Sequence, residues 1–129
     1  MCADVTTTLL GQEAETHALR FLERAGLTLI ERNFRCRAGE IDLVMLEQDA
    51  RVLVLVEVRS RSRLDFGSAA ATVGFAKQRR CVLAARYLLL KRRDLRRLRA
   101  RFDVVALDAP RRAGDPPRIT WLRNAFMST

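Results

Sequence analysis

The sequence predicts one α/β domain, a mixed β-sheet packed by helices. Three observations predict it. Two stretches carry apolar residues at helical spacing, one near the N-terminus and one after residue 72. Between them lie three closely spaced strand-like runs. The third run, Val52-Leu53-Val54-Leu55-Val56, is continuously apolar, as a central strand covered on both faces must be.

The elements follow in order. Leu10, Ala14, Ala18, Leu22 and Ala25 mark a helix over 8–25, stopped by Gly26, with residues 1–7 expected as a flexible N-terminus. Leu27 to Phe34 reads as a strand, and Arg35 to Gly39 as a basic turn. Strands over 40–47 and 52–59 are joined by a connection short enough to demand an antiparallel hairpin. A polar loop over 60–68 holds Arg61, Arg63 and Gly67. A helix over 72–91 has Cys81, Ala84, Ala85 and Leu88 on its inner stripe, and Asp94 to Ala100 extends it or forms a further helical turn. Arg101 to Asp108 is a strand, 109–117 a Pro- and Gly-marked loop, and Ile119 to Leu122 an edge strand. The order is α-β-β-β-α-β-β, and the whole of 1–129 reads as a single domain without internal repeats.

Composition narrows the function classes. Of 129 residues, 49% are hydrophobic, enough for a core and too many for a disordered chain. No apolar run is long enough to span a bilayer, and Met1 to Leu10 lacks the basic start and long apolar stretch of a secretory signal, so no membrane association and a cytoplasmic location are expected. Cys2, Cys36 and Cys81 fit neither a zinc site nor a disulfide framework and read as reduced thiols. His17 has no partner histidine or cysteine nearby and reads as a surface or half-buried helix residue and not as a ligand.

The net charge of +9 is local. Between Lys77 and Arg101 there are eleven basic residues and one acid, Asp94, whereas the remainder holds thirteen basic residues and fourteen acids. Such a concentration favours a polyanionic partner over an ordinary solvated helix face.

The chemistry-bearing residues lie on the central hairpin. If its turn is centred between Asp49 and Ala50, paired residue numbers sum to 99, so Asp42 faces Glu57 and Glu40 faces Arg59 on one face. Ile41, Leu43, Val56 and Val58 then occupy the other. A one-residue slip would separate the charges. Two facing carboxylates repel unless positive charge lies between them. A hard divalent cation such as Mg²⁺ suits the pair, and the alternative is a salt-bridge cluster of Glu40, Asp42, Glu57 and Arg59. Glu57 lies between apolar strand neighbours, where an unpaired charge is costly, and this favours a functional role. Glu15, on the flank of the first helix, can reach over the sheet or be an ordinary exposed glutamate. Lys77, four residues before Cys81, projects from the inner face of the second helix, either toward a phosphate or as the first member of the basic run.

Gly11-Gln12-Glu13-Ala14-Glu15, Arg32-Asn33-Phe34, Gly39-Glu40-Ile41-Asp42-Leu43, Val56-Glu57-Val58-Arg59 with Arg61, then Gly67, Lys77, Arg101-Phe102-Asp103-Val104-Val105 and Asn124-Ala125-Phe126 resemble, in order and spacing, the bacterial YraN family. That family is similar to the PD-(D/E)xK nuclease superfamily, in particular to Holliday-junction resolvases. The resemblance implies a restriction-endonuclease-like mixed central sheet flanked by helices, and metal-dependent hydrolysis of phosphodiester bonds with Mg²⁺ or Mn²⁺. It also implies a site of Glu15, Asp42 and Glu57 as metal ligands, with Arg59 at the usual lysine position.

Arginine there stays protonated and cannot serve as a base, though it can hold a phosphate. Either the metal alone generates the nucleophile, or Lys77 takes the lysine role, or the site is weakened. Glu40 is expected as a partner of Arg59 or a neighbour of the metal, and Asp103 as a carboxylate ordering the sheet.

The leading expectation is an endonuclease or DNA-processing protein selective for structure, since no base-reading motif is present. Lys77, Arg79, Arg80, Arg61 and Arg63 would contact nucleic acid, and the segment through Arg92, Arg93, Arg96 and Arg97 would track the backbone. The alternatives are a non-catalytic nucleic-acid-binding module on the same fold and an interaction subunit whose arginines meet an acidic partner. Resolvase-like proteins often pair to cut two strands, so a homodimer through the apolar edge near Trp121 is also expected.

Overall fold

The structure is a computed structural model and describes residues 2–61, 73–110 and 112–126, with side chains from residue 11 onward. Arg63 and Gly67 lie outside the described residues. The elements are α1 (Cys2–Arg24), β1 (Leu27–Cys36), β2 (Gly39–Glu47), β3 (Val52–Arg61), α2 (Phe75–Lys91), a 3₁₀ turn (Arg93–Leu95), β4 (Arg99–Asp108) and β5 (Arg118–Phe126). This is the expected order. The strands form one sheet, β1-β2-β3-β4-β5, in which β3 and β4 run parallel and the other neighbours antiparallel. The expected mixed central sheet flanked by helices, restriction-endonuclease-like in architecture, is therefore present.

Each face of the sheet is covered by one helix. Leu53 and Leu55 pack with Val44, Cys81, Ala84 and Leu88 beneath α2. Val54 and Val56 pack with Leu43, Met45, Ala18 and Leu22 beneath α1. Alternate residues of β3 thus enter opposite cores, which is why its sequence is apolar at every position from Leu53 to Val56.

The hairpin register is the one derived from the turn. Leu43↔Val56 through Glu47↔Val52 pair with numbers summing to 99, and Arg51 adopts φ 55° to close the loop. The ladder ends at Leu43↔Val56. This corrects the placement of Ile41, which packs with Phe34 on the α2 side although Leu43 packs on the α1 side. Strict alternation fails because the strands bend where Asn33 of β1, at φ 57°, lies across from Asp42. A left-handed residue turns the chain out of the pleat and reassigns the faces beyond it.

Other boundaries shift for local reasons. The backbone of α1 is helical from Cys2, inside the stretch expected as flexible, because residues 2–10 contain no Gly or Pro to stop propagation. The segment after α2 makes a 3₁₀ turn and then enters β4 at Arg99. Strand β5 runs to Phe126, past the expected end at Leu122, because Phe102↔Phe126 pairing resumes beyond a bulge. Asp103 sits at that bulge, fully buried. It accepts hydrogen bonds from Arg101 Nε (3.0 Å), Trp121 Nε1 (2.9 Å) and the Asn124 backbone N–H (2.8 Å). Its expected role in ordering the sheet is observed.

Candidate functional site

The carboxylates meet at Asp42 and Glu57, just beyond the last β2–β3 pair, Leu43↔Val56. Past Leu43↔Val56 the next N–H of β3 that faces β2 belongs to Val58, and it donates to Asp42 Oδ2 at 2.8 Å. A side chain thus replaces a ladder carbonyl and fixes the carboxylate at the strand end. Glu57, one residue earlier in β3, faces α2. Its side chain is 4% exposed, and its Oε1 receives Lys77 Nζ at 2.7 Å. Its other oxygen, Oε2, is buried with no hydrogen-bond partner among the described residues. The small space that Ile41, Leu55, Cys81, Phe102 and Phe126 line beside Glu57 has no room for water.

The electrostatics follow from this packing. Burial is the largest influence on Asp42 and Glu57 the next, with Glu15 and Glu40 adding to them against the Val58 hydrogen bond. Together they push the Asp42 carboxyl up to about 8. Lys77 is shifted up, because the bond to Glu57 and the charges of Glu57 and Asp42 outweigh its partial desolvation and the repulsion of Arg59. The ammonium form of Lys77 therefore persists through neutral pH. Burial, the largest cause, with Glu57 next, raises the Cys81 thiol to about 12, so it is an inert core group, as expected.

The remaining expected site residues fall into three groups. Glu15 is half-buried and faces Arg32 Nε at 3.4 Å. Arg32 also donates to Gln12 O (3.0 Å) and Thr16 Oγ1 (2.9 Å), which ties β1 to α1 and sets the position of Glu15. No local pattern around Arg32 signals this role, which depends on a contact between residues 17 apart in the chain.

Arg59 comes to the site, on the same strand as Glu57, and its Nε is buried without a hydrogen-bond partner among the described residues. Glu40 does not pair with it. Glu40 binds Arg35 at 3.2 Å across the β1–β2 ladder, because the β2–β3 ladder has ended before residue 40. Arg61 is turned away to Asp108, which it binds through Nε (2.7 Å) and Nη2 (3.0 Å) across the parallel β3–β4 pair. That pair holds the Asp108 carboxyl below its usual range.

The basic run divides. Arg92 binds Asp94, Arg96 donates to Leu89 O at the end of α2, and Arg101 binds Asp103 and Glu47. These arginines are occupied in holding the fold. Arg79, Arg80 and Arg86 are exposed on α2, and no described residue pairs with them. Arg80 flanks the β1–β2 turn, where Gly39 approaches so closely that a Cβ would lie 3.2 Å from Arg80 Cβ. Arg35 and Arg37 on this turn and Arg80 on α2 therefore share one corner. His17 is exposed on α1.

Among the described residues, no three His, Cys, Asp or Glu side chains are gathered as a ready-made metal cage. Asp42 and Glu57 form the pair, while Glu15 is engaged by Arg32. A pair fits Mg²⁺, which keeps most of its waters and is held by one or two carboxylates together with substrate phosphate. The unpartnered Glu57 Oε2 and the strained ionisation of Asp42 are what such a cation would relieve.

Fold and site together define a restriction-endonuclease-like α/β protein with an acidic centre at the end of its central hairpin. The chain belongs to the uncharacterised protein family UPF0102, whose model matches residues 14–107. A UPF0102 protein of Dechloromonas aromatica is 48% identical over 124 residues, which is 96% of this chain and 93% of that protein. One from Pseudomonas putida is 48% identical over 126 residues, 98% of both chains. One from Cupriavidus metallidurans is 49% identical over 122 residues, 94% of this chain and 83% of the relative. No helix is long and apolar enough to cross a membrane, among the described residues.

Proposed function

We propose that this protein is a metal-dependent phosphodiester hydrolase acting on structured nucleic acid, DNA in the first instance, in the cytoplasm. One observation carries the reading. Glu57 is buried with an oxygen that no described residue satisfies, next to an aspartate whose charge is opposed by three neighbouring carboxylates. A buried acidic pair of this kind is costly unless a cation and its ligands complete it.

Asp42 and Glu57 would hold Mg²⁺ or Mn²⁺, with Glu15 reaching it through its waters. When bound, the cation supplies Lewis-acid polarisation of the phosphodiester and a more acidic water. The protein's own groups do the rest. The Val58 N–H keeps the Asp42 carboxylate aimed at the strand end. Arg59 offers its planar fork to a non-bridging phosphate oxygen. Lys77, which holds Glu57 in the structure, would offer its ammonium to the phosphate and offset the negative charge that grows as water attacks phosphorus and the ester oxygen leaves. Lys77 thus takes the part that a strand lysine would play in the superfamily. Arg79 and Arg80, with Arg35 and Arg37 on the adjoining turn, would position the backbone without reading bases. Arg61 could join them only by leaving Asp108.

The test is cleavage of branched, single-stranded and supercoiled DNA with Mg²⁺ or Mn²⁺ by the wild type, Asp42→Ala and Glu57→Ala. Metal-dependent cutting is expected from the wild type and lost in both variants. Cutting that survives both substitutions would sink the reading. A second reading rests on Arg59, which holds the superfamily's lysine position and cannot accept a proton. It makes the protein a non-catalytic nucleic-acid-binding module, and predicts salt-sensitive binding with no cutting of any substrate.

A further inference from the structure

The four large hydrophobic residues that the described part of the protein exposes, Phe75, Leu83, Tyr87 and Leu90, all lie on α2. Leu83, Tyr87 and Leu90 are spaced four and three residues apart and are 39%, 47% and 67% exposed. At 100° per residue they fall within an arc of roughly 60°, opposite the buried Cys81, Ala85 and Leu88. The arc is a narrow seam, of the width that receives a single helix, and not the broad apolar face of a helix that lies in a membrane. Phe75 sits off the seam on one flank.

Both borders of the seam are basic. Arg79 and Arg86 line one side, seven residues apart, and Arg80 and Lys91 the other. The helix carries no acidic residue. In paired helices the charges flanking an apolar seam choose the partner, so a second copy of α2 would set arginine against arginine. A polyanionic backbone would meet the arginines but would leave Leu83, Tyr87 and Leu90 uncovered.

We propose that the outer face of α2 docks an amphipathic helix of another protein, one with an apolar stripe bordered by glutamates or aspartates. Leu83, Tyr87 and Leu90 form the seat, and Arg79, Arg86, Arg80 and Lys91 select for acidic flanks. Leu83, Tyr87 and Leu90 lie on the side of α2 away from Lys77 and the sheet, apart from the acidic centre, whereas Arg79 and Arg80 also belong to the proposed nucleic-acid contact, so a docked helix and nucleic acid would compete for those two arginines.

The test uses the full chain and a synthetic three-heptad peptide with leucine at the seam positions and glutamate at the flanks. A second peptide carries lysine at the flanks. Binding is followed by calorimetry and by amide exchange in α2. The expected result is saturable binding of the glutamate peptide, new protection of α2, and no binding of the lysine peptide. The double variant Leu83→Gln/Leu90→Gln keeps good helix formers at exposed positions, and a wild-type melting curve will confirm that it folds. Its affinity should fall by about tenfold or more, the loss expected when two leucines cease to be buried. Arg86→Glu should also weaken the glutamate peptide.

The proposal is overturned if the glutamate peptide fails to bind, or binds the double variant equally well. It is also overturned if the two leucines instead support a dimer seen by light scattering, adhesion to phosphatidylglycerol vesicles, or retention of duplex DNA. Each of those results would assign the seam to a different occupant.

Discussion

Lys77 Nζ stands 2.7 Å from Oε1 of Glu57, joining the inner side of α2 to the central strand β3. The contact brings one positive charge to a buried acidic pair and leaves Glu57 Oε2 unpaired among the described residues. The ammonium therefore occupies part of the electrostatic role that a divalent cation would fill.

Competition between the two cations is the first consequence. Lys77→Met should bind Mn²⁺ several-fold more tightly than the wild type in calorimetry and should lose cleavage. Without metal it should be less stable by about 1–3 kcal/mol, since Glu57 is left without its counter-charge at a site where the lysine is itself one-third exposed. Unchanged Mn²⁺ affinity would mean that Lys77 and metal do not share Glu57.

The Asp42 carboxyl makes the metal-free protein sensitive to pH. Its folded value, about 8, lies above the unfolded value of 3.8, so the native state binds the extra proton between them. Stability should fall as pH rises from about 4 toward 8. Asn at this position can still accept from the Val58 N–H, so Asp42→Asn should flatten that slope and be more stable than the wild type near pH 8, by on the order of 1–3 kcal/mol. Urea unfolding across this range without metal measures both. A wild type equally stable at both ends would contradict the burial argument.

Asp103 supplies the opposite case, a buried carboxylate whose neighbours satisfy it. Asp103→Ala leaves Arg101, Trp121 Nε1 and the Asn124 N–H short of an acceptor at the β4–β5 bulge. Thermal unfolding should show a loss of about 3–5 kcal/mol. Mn²⁺ affinity of the folded fraction should not move, because this network is part of the frame.

Nucleic-acid binding should depend on the exposed arginines. Replacing Arg79 and Arg80 by alanine should reduce the slope of log affinity against log salt by about 1 per residue. Arg96→Ala should leave the slope unchanged, since Arg96 caps the end of α2 by donating to Leu89 O. Salt titrations by anisotropy would distinguish the two groups. An equal effect from Arg96 would show that the fold does not divide the basic run in this way.

The sequence by itself determined the order of the elements, the double burial of β3 and the hairpin register. Those features are encoded locally: apolar periodicity reports which faces are covered, and a short turn fixes which residues pair. Asp42 and Glu57 were legible because a charge placed between apolar neighbours is visible in the pattern, and Lys77 because it lies four residues before Cys81 on the inner stripe of its helix.

Tertiary structure decided the rest. The reversal at Asn33 and Asp42 moved Ile41 to the other core and separated Glu40 from Arg59, and a single left-handed residue gives no periodic signal. Arg32 under Glu15, Asp108 beneath Arg61 and Trp121 on Asp103 are contacts between distant parts of the chain. Only packing could sort the basic run into arginines that hold the fold and arginines that face outward, because every one of them carries the same charge in the sequence, and what differs is which carboxylate or carbonyl the folded chain brings within reach.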